Sequence, residues 1–211
     1  MTRPGRGRLV AVCGIDGAGK SSLVARVAAR LGPPVLAVRK DVRDAVELFQ
    51  RHARPDPGDP ERWSGGPFAH CVAAASALDF LRHYEQAIAP AFAAGRLVIA
   101  DRYAPCYRAY LRATGAPLDD AAPFAGLPVP DLAVLVDVPV EVAVARHWQR
   151  GGPSADETPA VLTAVRAAYR ALAAEEPERW RILDNTGGFD EACDMLRSWI
   201  EPFLDGGEAR P

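Results

Sequence analysis

Lysine is nearly absent from this chain of 211 residues: Lys20 and Lys40 are the only two, and every other basic residue is arginine. The formal net charge is −2, so the sequence lacks the basic excess that general nucleic-acid binders usually carry. No apolar run approaches the roughly 18 residues that a membrane-spanning helix needs. These absences argue against a general nucleic-acid binder and against a membrane-spanning protein. They leave a globular protein whose 49% hydrophobic residues suffice for a full core.

The four cysteines are scattered and form no C-x-x-C pair. This spacing predicts small core residues in a reducing compartment and argues against a disulfide framework or a zinc site. The basic start MTRPGRGR is followed by a short apolar run, LVAVCGI, which predicts a first strand and not a signal peptide. We therefore expect a cytoplasmic protein without a membrane partner, with flexible tails at residues 1–7 and 206–211.

Residues 14–21, GIDGAGKS, fit the pattern G-x-x-x-x-G-K-[ST] and are called the glycine loop below. Glycines let consecutive backbone N–H groups point inward at an anion, and the following helix adds the positive end of its dipole. Lys20 suits the outer phosphates of a nucleotide, as a compact charge that arginine does not replace, and the Ser21 hydroxyl suits Mg²⁺. The residues predicted to bind the nucleotide are Gly14, Gly17, Ala18, Gly19, Lys20, Ser21 and Ser22.

A glycine-rich turn between a strand and a helix is the alternative interpretation of this loop. The flanking segments favour phosphate binding, because the pattern requires a strand before it and a helix after it. Residues 8–14, RLVAVCG, are an apolar, β-branched run typical of a buried parallel strand. Residues 20–32 place apolar side chains at helical spacing and end in glycine.

Apolar strand candidates alternate with helical patterns along the chain. This alternation predicts an α/β fold, with a parallel sheet that helices cover on both faces. In such sheets ligands bind beyond the carboxyl ends of the strands, where Gly14, Asp101 and Asp137 fall. We expect one domain over residues 8–205. The candidate strands are residues 8–14, 34–38, 96–101, 132–137 and 180–184.

Two irregular segments interrupt these patterns. Residues 53–67 are rich in proline, glycine and charge, which predicts a loop or a mobile flap. A long helix is predicted over residues 68–94, with a kink or break at Pro90. Residues 150–157, RGGPSADE, lie between two further helical patterns, and their length and composition suit a lid.

The run VIADRY, residues 98–103, ends a β-branched strand with an acid and a base. Asp101 at the strand tip is expected near Ser21, where it can hold Mg²⁺ or its waters, or accept a proton from an attacking group. Arg102 can clamp an acceptor phosphate with two hydrogen bonds. The alternative is a surface Asp–Arg pair that caps the next helix, and the preceding glycine loop favours the functional interpretation.

The chain resembles thymidylate kinase in three segments that follow the order of that family. They are GIDGAGKSS, then APAFAAGRLVIADRY (89–103), then PDLAVLVDVPVEVAVAR (130–146). The similarity covers most of residues 8–204. It implies a five-stranded P-loop kinase fold, ATP with Mg²⁺ as donor, and a homodimer. The implied reaction transfers the γ-phosphate of ATP to a small-molecule acceptor, a nucleoside monophosphate, with dTMP as the first candidate.

The resemblance also implies roles for single residues. Lys20 and Ser21 match the positions that serve ATP and Mg²⁺. Asp16, inside the glycine loop, matches the carboxylate that contacts the acceptor sugar and helps to organise the transfer. Arg39 and Arg102 match positions that contact the acceptor phosphate.

The lid is expected to supply one more positive charge. Gly17 stands where some members of the family carry a catalytic arginine, so an arginine of the lid should stabilise the transition state. Arg150 is the first choice and Arg166 can assist, while a solvated helix face is the alternative for Arg146 and Arg150. The predicted catalytic residues are Asp16, Lys20, Asp101 and Arg150.

The sequence departs from the family on the acceptor side. Ser76 and Phe80 align with an aromatic residue that stacks on thymine and with an arginine one turn later, and Leu111 replaces a base-reading glutamine. Phe80 and His83 are the candidates for a substitute stacking group. Tyr110 is predicted to bind the acceptor together with Asp16, Arg39 and Arg102; core packing is the alternative for the tyrosines of this segment.

Several functions stay open at this point. The chain is a thymidylate kinase with an unusual pocket, a related kinase for another nucleotide, a nucleoside or another small molecule, or an ATP-binding module without activity. A regulatory GTPase would also need D-x-x-G and N-K-x-D motifs, which the sequence lacks. An ATP-driven nucleic-acid remodeller would need a strand ending in Asp-Glu and a basic track, whereas the strand VIADR ends in Asp-Arg and the net charge is −2. The set of acidic and basic residues around the glycine loop favours a kinase.

Overall fold

The computed structural model describes residues 7–33, 35–39, 44–53, 66–113, 115, 119, 121–149 and 158–204. Within these ranges five strands form one parallel sheet in the order β2-β3-β1-β4-β5. The predicted α/β fold with a five-stranded parallel sheet is confirmed, and each strand end lies within one residue of its predicted position. The strands are β1 (Arg8–Cys13), β2 (Val35–Arg39), β3 (Leu97–Asp101), β4 (Leu132–Asp137) and β5 (Trp180–Asp184).

Helices surround this sheet. The helix α1 packs on α8, whereas α5 packs on α3 and α7. The sequence pattern did not predict α2 or α8. No helix in the described ranges is long and apolar enough to cross a membrane. The helices are α1 (Lys20–Leu31), α2 (Asp44–Ala53), α3 (Gly66–His83), α4 (Ala89–Ala93), α5 (Ala104–Ala113), α6 (Val140–Trp148), α7 (Pro159–Glu175) and α8 (Phe189–Ile200).

The inner strands carry the core of the protein. Every residue of β3 and β4 is buried, and so is every residue of β1 after Arg8. A strand with helices on both faces must be apolar along its whole length, which explains the uninterrupted apolar runs in the sequence. Each buried Val, Leu or Ile side chain contributes roughly 1.5–3 kcal/mol to folding. This rigid centre carries the glycine loop at the carboxyl end of β1.

The predicted long helix is divided near Pro90. The helix α3 ends at His83, a π-helical turn spans Tyr84–Ile88, and α4 follows. The Ala89 amide donates to the Tyr84 carbonyl, five residues earlier. Proline has no N–H group and its ring crowds the carbonyl of the preceding turn, so a widened turn before Pro90 makes room for the ring. The predicted break therefore occurs as a π turn.

Several predicted features lie outside the described residues. These are the lid at residues 150–157, residues 54–65 of the predicted flap, and the tails except for Gly7. The Gly7 amide donates to the Phe92 carbonyl at 3.3 Å. The borders of the domain and of the lid therefore stay predictions, whereas Ala53 and residues 66–67, at the two ends of the predicted flap, belong to α2 and α3.

Candidate active site

The glycine loop joins the buried end of β1 to the first turn of α1. Gly14, Gly17 and Gly19 have φ angles of 142°, 83° and 92°, which residues with side chains rarely adopt. A Cβ on Gly17 would also lie 2.6 Å from the Ala143 carbonyl oxygen of α6, and a Cβ on Gly14 would collide with the Val136 carbonyl. The loop therefore needs glycine at these positions for both its backbone conformation and its packing.

Lys20 opens α1 and is only 5% exposed. Its ammonium donates to the Ile15 carbonyl at 2.8 Å and lies 3.8 Å from Asp16 Oδ1. Burial and the Arg102 guanidinium lower the pKa of Lys20, while the carboxylates of Asp16 and Asp101 oppose that shift. The ammonium is thus folded back onto the loop, and the bond to Ile15 uses one of its three protons.

Ser21, in the first turn of α1, meets Asp101, the last residue of β3. The Ser21 hydroxyl donates to Asp101 Oδ2 at 2.5 Å. Asp101 is 3% exposed, and its Oδ1 has no hydrogen-bond partner in the described part of the chain. A buried carboxylate oxygen without a donor calls for a cation or a proton. The pair therefore fits Mg²⁺, which prefers oxygen ligands.

The number of protein ligands also suits Mg²⁺. Within the described ranges, no cluster of three or more His, Cys, Asp or Glu side chains could form a protein-only metal cage. Mg²⁺ is usually held by one or two protein oxygens together with water and substrate phosphates. A single serine–aspartate pair beside the glycine loop meets that requirement.

The Asp16 carboxylate lies between a cation and a phenol. Arg102 pairs with Oδ1, and the Tyr110 hydroxyl donates to Oδ2 at 2.9 Å. Burial would raise the pKa of Asp16, but Arg102, Lys20 and the Tyr110 hydrogen bond lower it to about 2. Asp16 is therefore ionised at neutral pH. It is a weak proton acceptor, because a general base works best with a pKa near the operating pH.

Arg102 adopts an unusual backbone conformation, with a φ of 77°. Its amide donates to the Val12 carbonyl of β1 at 3.1 Å, which holds the turn between β3 and α5. A left-handed backbone costs a residue with a side chain about 1–2 kcal/mol. The turn directs the guanidinium to Asp16. The alternative of a surface Asp101–Arg102 pair is wrong, because Asp101 is buried on Ser21 and Arg102 binds Asp16.

The aromatic residues near α5 divide into two groups. Tyr110 binds Asp16, whereas Tyr103, Tyr107 and Phe124 surround Phe80 with ring centroids 4.7–5.5 Å from its own. Phe80 is fully buried, so its ring belongs to the core and is not offered to a ligand. Core packing, the alternative weighed for the tyrosines, holds for Tyr103 and Tyr107, and Tyr110 lies at the site.

Arg146 and Asn185 contact the outer side of the glycine loop. The Arg146 guanidinium donates to the carbonyls of Gly17 and Ala18 at 3.3 Å each, and to the Asn185 carbonyl at 2.8 Å. The side-chain amide of Asn185 donates to the same Ala18 carbonyl at 2.7 Å. Arg146 therefore does not lie on a solvated helix face. Asn185 is a contact residue of the loop that sequence reasoning missed.

Asp137, the last residue of β4, binds two arginines of α7. Arg166 donates to its two carboxylate oxygens at 2.7 and 2.9 Å, and Arg170 donates at 2.5 Å. The hydrogen bonds to Asp137 raise the pKa of Arg166. Arg166, considered above as a helper of the lid, is thus engaged at the edge of the sheet.

The structure brings most of the predicted site residues to one edge of the sheet. Arg150 lies outside the described residues. The backbone of Arg39 pairs with that of Asp101 across β2 and β3, at the same edge. Ser22 is exposed in the first turn of α1. The side chains that lie together around the glycine loop are Asp16, Lys20, Ser21, Asp101, Arg102 and Tyr110.

The chain is similar to known proteins along most of its length. The family model described as thymidylate kinase matches residues 68–195. A thymidylate kinase of Cereibacter sphaeroides is 32% identical over 221 aligned residues, with 94% of this chain and 96% of that protein covered. A thymidylate kinase of Dinoroseobacter shibae is 34% identical, with 93% and 97% covered. A probable thymidylate kinase of Pyrobaculum aerophilum is 34% identical, with 79% and 83% covered.

Proposed function

The chain belongs to the thymidylate kinase family, and we propose that it transfers the γ-phosphate of ATP to dTMP with the help of Mg²⁺. Membership makes it a nucleoside monophosphate kinase, a transferase. The main structural support for the proposal is the hydrogen bond between Ser21 and Asp101 beside the glycine loop. The other carboxylate oxygen of Asp101 is buried without a hydrogen-bond partner among the described residues, so it can bind a cation next to the proposed phosphate site.

The donor side follows from the charges around the loop. The loop amides and the Lys20 ammonium would hold the β- and γ-phosphates of ATP, and Ser21 and Asp101 would hold Mg²⁺. The bound metal ion would neutralise charge on the transferring phosphate. Phosphoryl transfer depends mainly on positioning and charge neutralisation, and these residues supply both without a covalent step.

The acceptor side is centred on Asp16. With a pKa of about 2, this carboxylate would orient the acceptor as a fixed anion and hydrogen-bond acceptor, not as a base. Tyr110 fixes its second oxygen. Arg102 presents five N–H donors, so its pair with Asp16 leaves donors for the acceptor phosphate, with Arg39 as its partner there.

The remaining elements rest on family membership. Arg150 in the lid at residues 150–157 would stabilise the transition state, and closure of the lid would exclude water, which otherwise accepts the phosphoryl group. The homodimer and the cytoplasmic location stay predictions. Sedimentation of the purified chain at micromolar concentration tests the homodimer.

An assay that couples ADP formation to a spectroscopic signal tests the proposed reaction. The panel contains dTMP, dUMP, the other nucleoside monophosphates and the matching nucleosides, with ATP and Mg²⁺. We expect turnover with dTMP and its loss in Lys20→Ala, while Arg26→Ala, which removes an exposed cation of α1, serves as the control. If the chain binds ATP but forms no ADP with dTMP, the proposed acceptor is contradicted.

A different acceptor is the second candidate, and one observation favours it. Phe80 and Leu111, which replace a polar contact pair of the family, are both buried in the core, with Phe80 enclosed by aromatic rings. Neither can donate or accept a hydrogen bond, so thymine would lose those contacts. Preferred turnover of another monophosphate, or of a nucleoside, in the same panel would support this candidate.

A further inference from the structure

We propose that Asn185 is a positioning residue of the glycine loop: its side-chain amide holds the Ala18 carbonyl outward and so directs the Gly19 amide toward the bound phosphates. The inference rests on the proposed function, because it assumes that the loop holds the phosphates of ATP. It concerns a residue of the segment after β5, 167 positions away in sequence from the carbonyl that it binds.

The contact itself is short and buried. Asn185 is 4% exposed, and its Nδ2 lies 2.7 Å from the Ala18 carbonyl oxygen. A carbonyl accepts only, so the NH₂ end of the amide must face it, which settles the orientation of the side chain. Asn185 is also the only asparagine in the sequence.

The backbone of Asn185 is fixed as firmly as its side chain. Its N–H donates to the Asp137 carbonyl at 3.2 Å, and its own carbonyl accepts from Arg146 at 2.8 Å. The hydrogen bonds from β4 and α6 therefore hold the backbone of Asn185 beside the glycine loop, within reach of the Ala18 carbonyl. Arg146 also reaches Ala18, but at 3.3 Å, so Asn185 is the nearer donor.

Peptide geometry links this contact to phosphate binding. A trans peptide is planar, so the C=O of Ala18 and the N–H of Gly19 point in opposite directions. Holding the carbonyl on the outer side therefore turns the Gly19 N–H toward the inside of the loop. The same N–H belongs to the group of amides before α1 that have no partner within the helix and bind anions.

The backbone conformation and the missing side chain of Gly19 both suit this contact. Its φ of 92° belongs to the left-handed region, and a Cβ there would lie 2.6 Å from Asn185 Nδ2. A side chain at position 19 would push the amide away from Ala18. The absence of a side chain thus serves the Asn185 contact as well as the loop conformation.

Calorimetric titration of the full chain with ADP and with adenosine tests the proposal. The ratio of the two affinities measures the contribution of the phosphates alone. The variant is Asn185→Ala, and the control is Ser198→Ala on α8, which also removes one hydrogen bond from a side chain to a backbone carbonyl. We expect about tenfold weaker ADP binding in Asn185→Ala, with adenosine binding close to that of the control.

Two results would overturn the proposal: unchanged ADP binding, or an equal loss for ADP and adenosine, which would indicate a general effect on the site. If Asn185→Ala does not fold, Asn185→Ser takes its place, because its hydroxyl is too short to reach Ala18. Failure of the proposed function looks different: the unmutated chain would then bind ADP no better than adenosine.

Discussion

The Ser21 hydroxyl donates to Asp101 Oδ2 at 2.5 Å, which ties the first turn of α1 to the end of β3. The two residues are 80 positions apart in sequence, and the parallel pairing of β1 with β3 brings them together. The second oxygen of Asp101 is buried and has no donor among the described residues. This relationship makes the proposed Mg²⁺ site the first feature to test.

Asp101→Asn is expected to weaken Mg²⁺ binding. The amide keeps the size and one oxygen of the side chain but removes its negative charge, so the Mg²⁺ concentration for half-maximal rate should rise roughly 10- to 100-fold. Initial rates over a Mg²⁺ titration at saturating ATP measure this change. Asp194→Asn, an exposed position on α8, is the matched control. An unchanged Mg²⁺ requirement would contradict the proposed role of Asp101 as a Mg²⁺ ligand.

Arg102→Ala is expected to affect the acceptor more than ATP. The guanidinium pairs with Asp16 at the proposed acceptor side, so the KM for dTMP should rise at least about tenfold while the KM for ATP changes little. Steady-state kinetics with each substrate varied in turn separates the two constants. Arg112→Ala, which removes an arginine of α5 that binds Glu175, controls for the loss of a cation from the segment that follows β3. Equal changes in both constants would argue against a phosphate clamp.

The backbone of Arg102 gives a separate prediction about stability. Both Arg102→Gly and Arg102→Ala lose the guanidinium, but only glycine adopts a φ of 77° without strain. We therefore expect Arg102→Gly to have a free energy of unfolding about 0.5–1 kcal/mol higher than Arg102→Ala, despite the greater entropy of glycine in the unfolded chain. Urea unfolding of the two variants gives this difference. The opposite order would show that the turn relaxes when the side chain is lost.

Much of the fold was predictable because the signals are local. The inner strands are continuous apolar runs, and the glycine loop has a fixed spacing between its glycines, Lys20 and Ser21. The helix α2 was missed because the group at its start is distant in sequence. The carboxylate of Asp79 in α3 accepts from the amides of Ala45 and Val46, which a local capping pattern cannot reveal.

The candidate site was predictable where one strand end carries the chemistry, as at Asp101 and Arg102. The position of a long side chain was not predictable where several partners lie within its reach. Arg146 and Arg166 were considered as charges of the lid, yet they bind carbonyls of the glycine loop and the Asp137 carboxylate. Asn185 belongs to no sequence motif, and its contact with Ala18, 167 positions away, exists only in the folded chain.

The pH dependence of stability tests the environment of Asp16. Its pKa of about 2 lies below the ordinary value of 3.8, so the charged carboxylate stabilises the folded protein. That contribution is complete above about pH 4 and is lost as the pH falls toward 2. The unmutated chain should therefore exceed Asp16→Asn in free energy of unfolding by a margin that narrows by about 2 kcal/mol over this range.

Urea unfolding followed by circular dichroism at several pH values between 2 and 6 measures this margin. The same comparison in the Arg102→Ala background is the control. Without Arg102, the pKa of Asp16 should rise from its value in the unmutated chain, because burial is then opposed only by the weaker effects of Lys20, Tyr110 and His147. The difference in free energy of unfolding between the chains with Asp16 and with Asn at this position should then depend less on pH. A margin that is independent of pH in the unmutated background would contradict an ionic contact between Asp16 and Arg102.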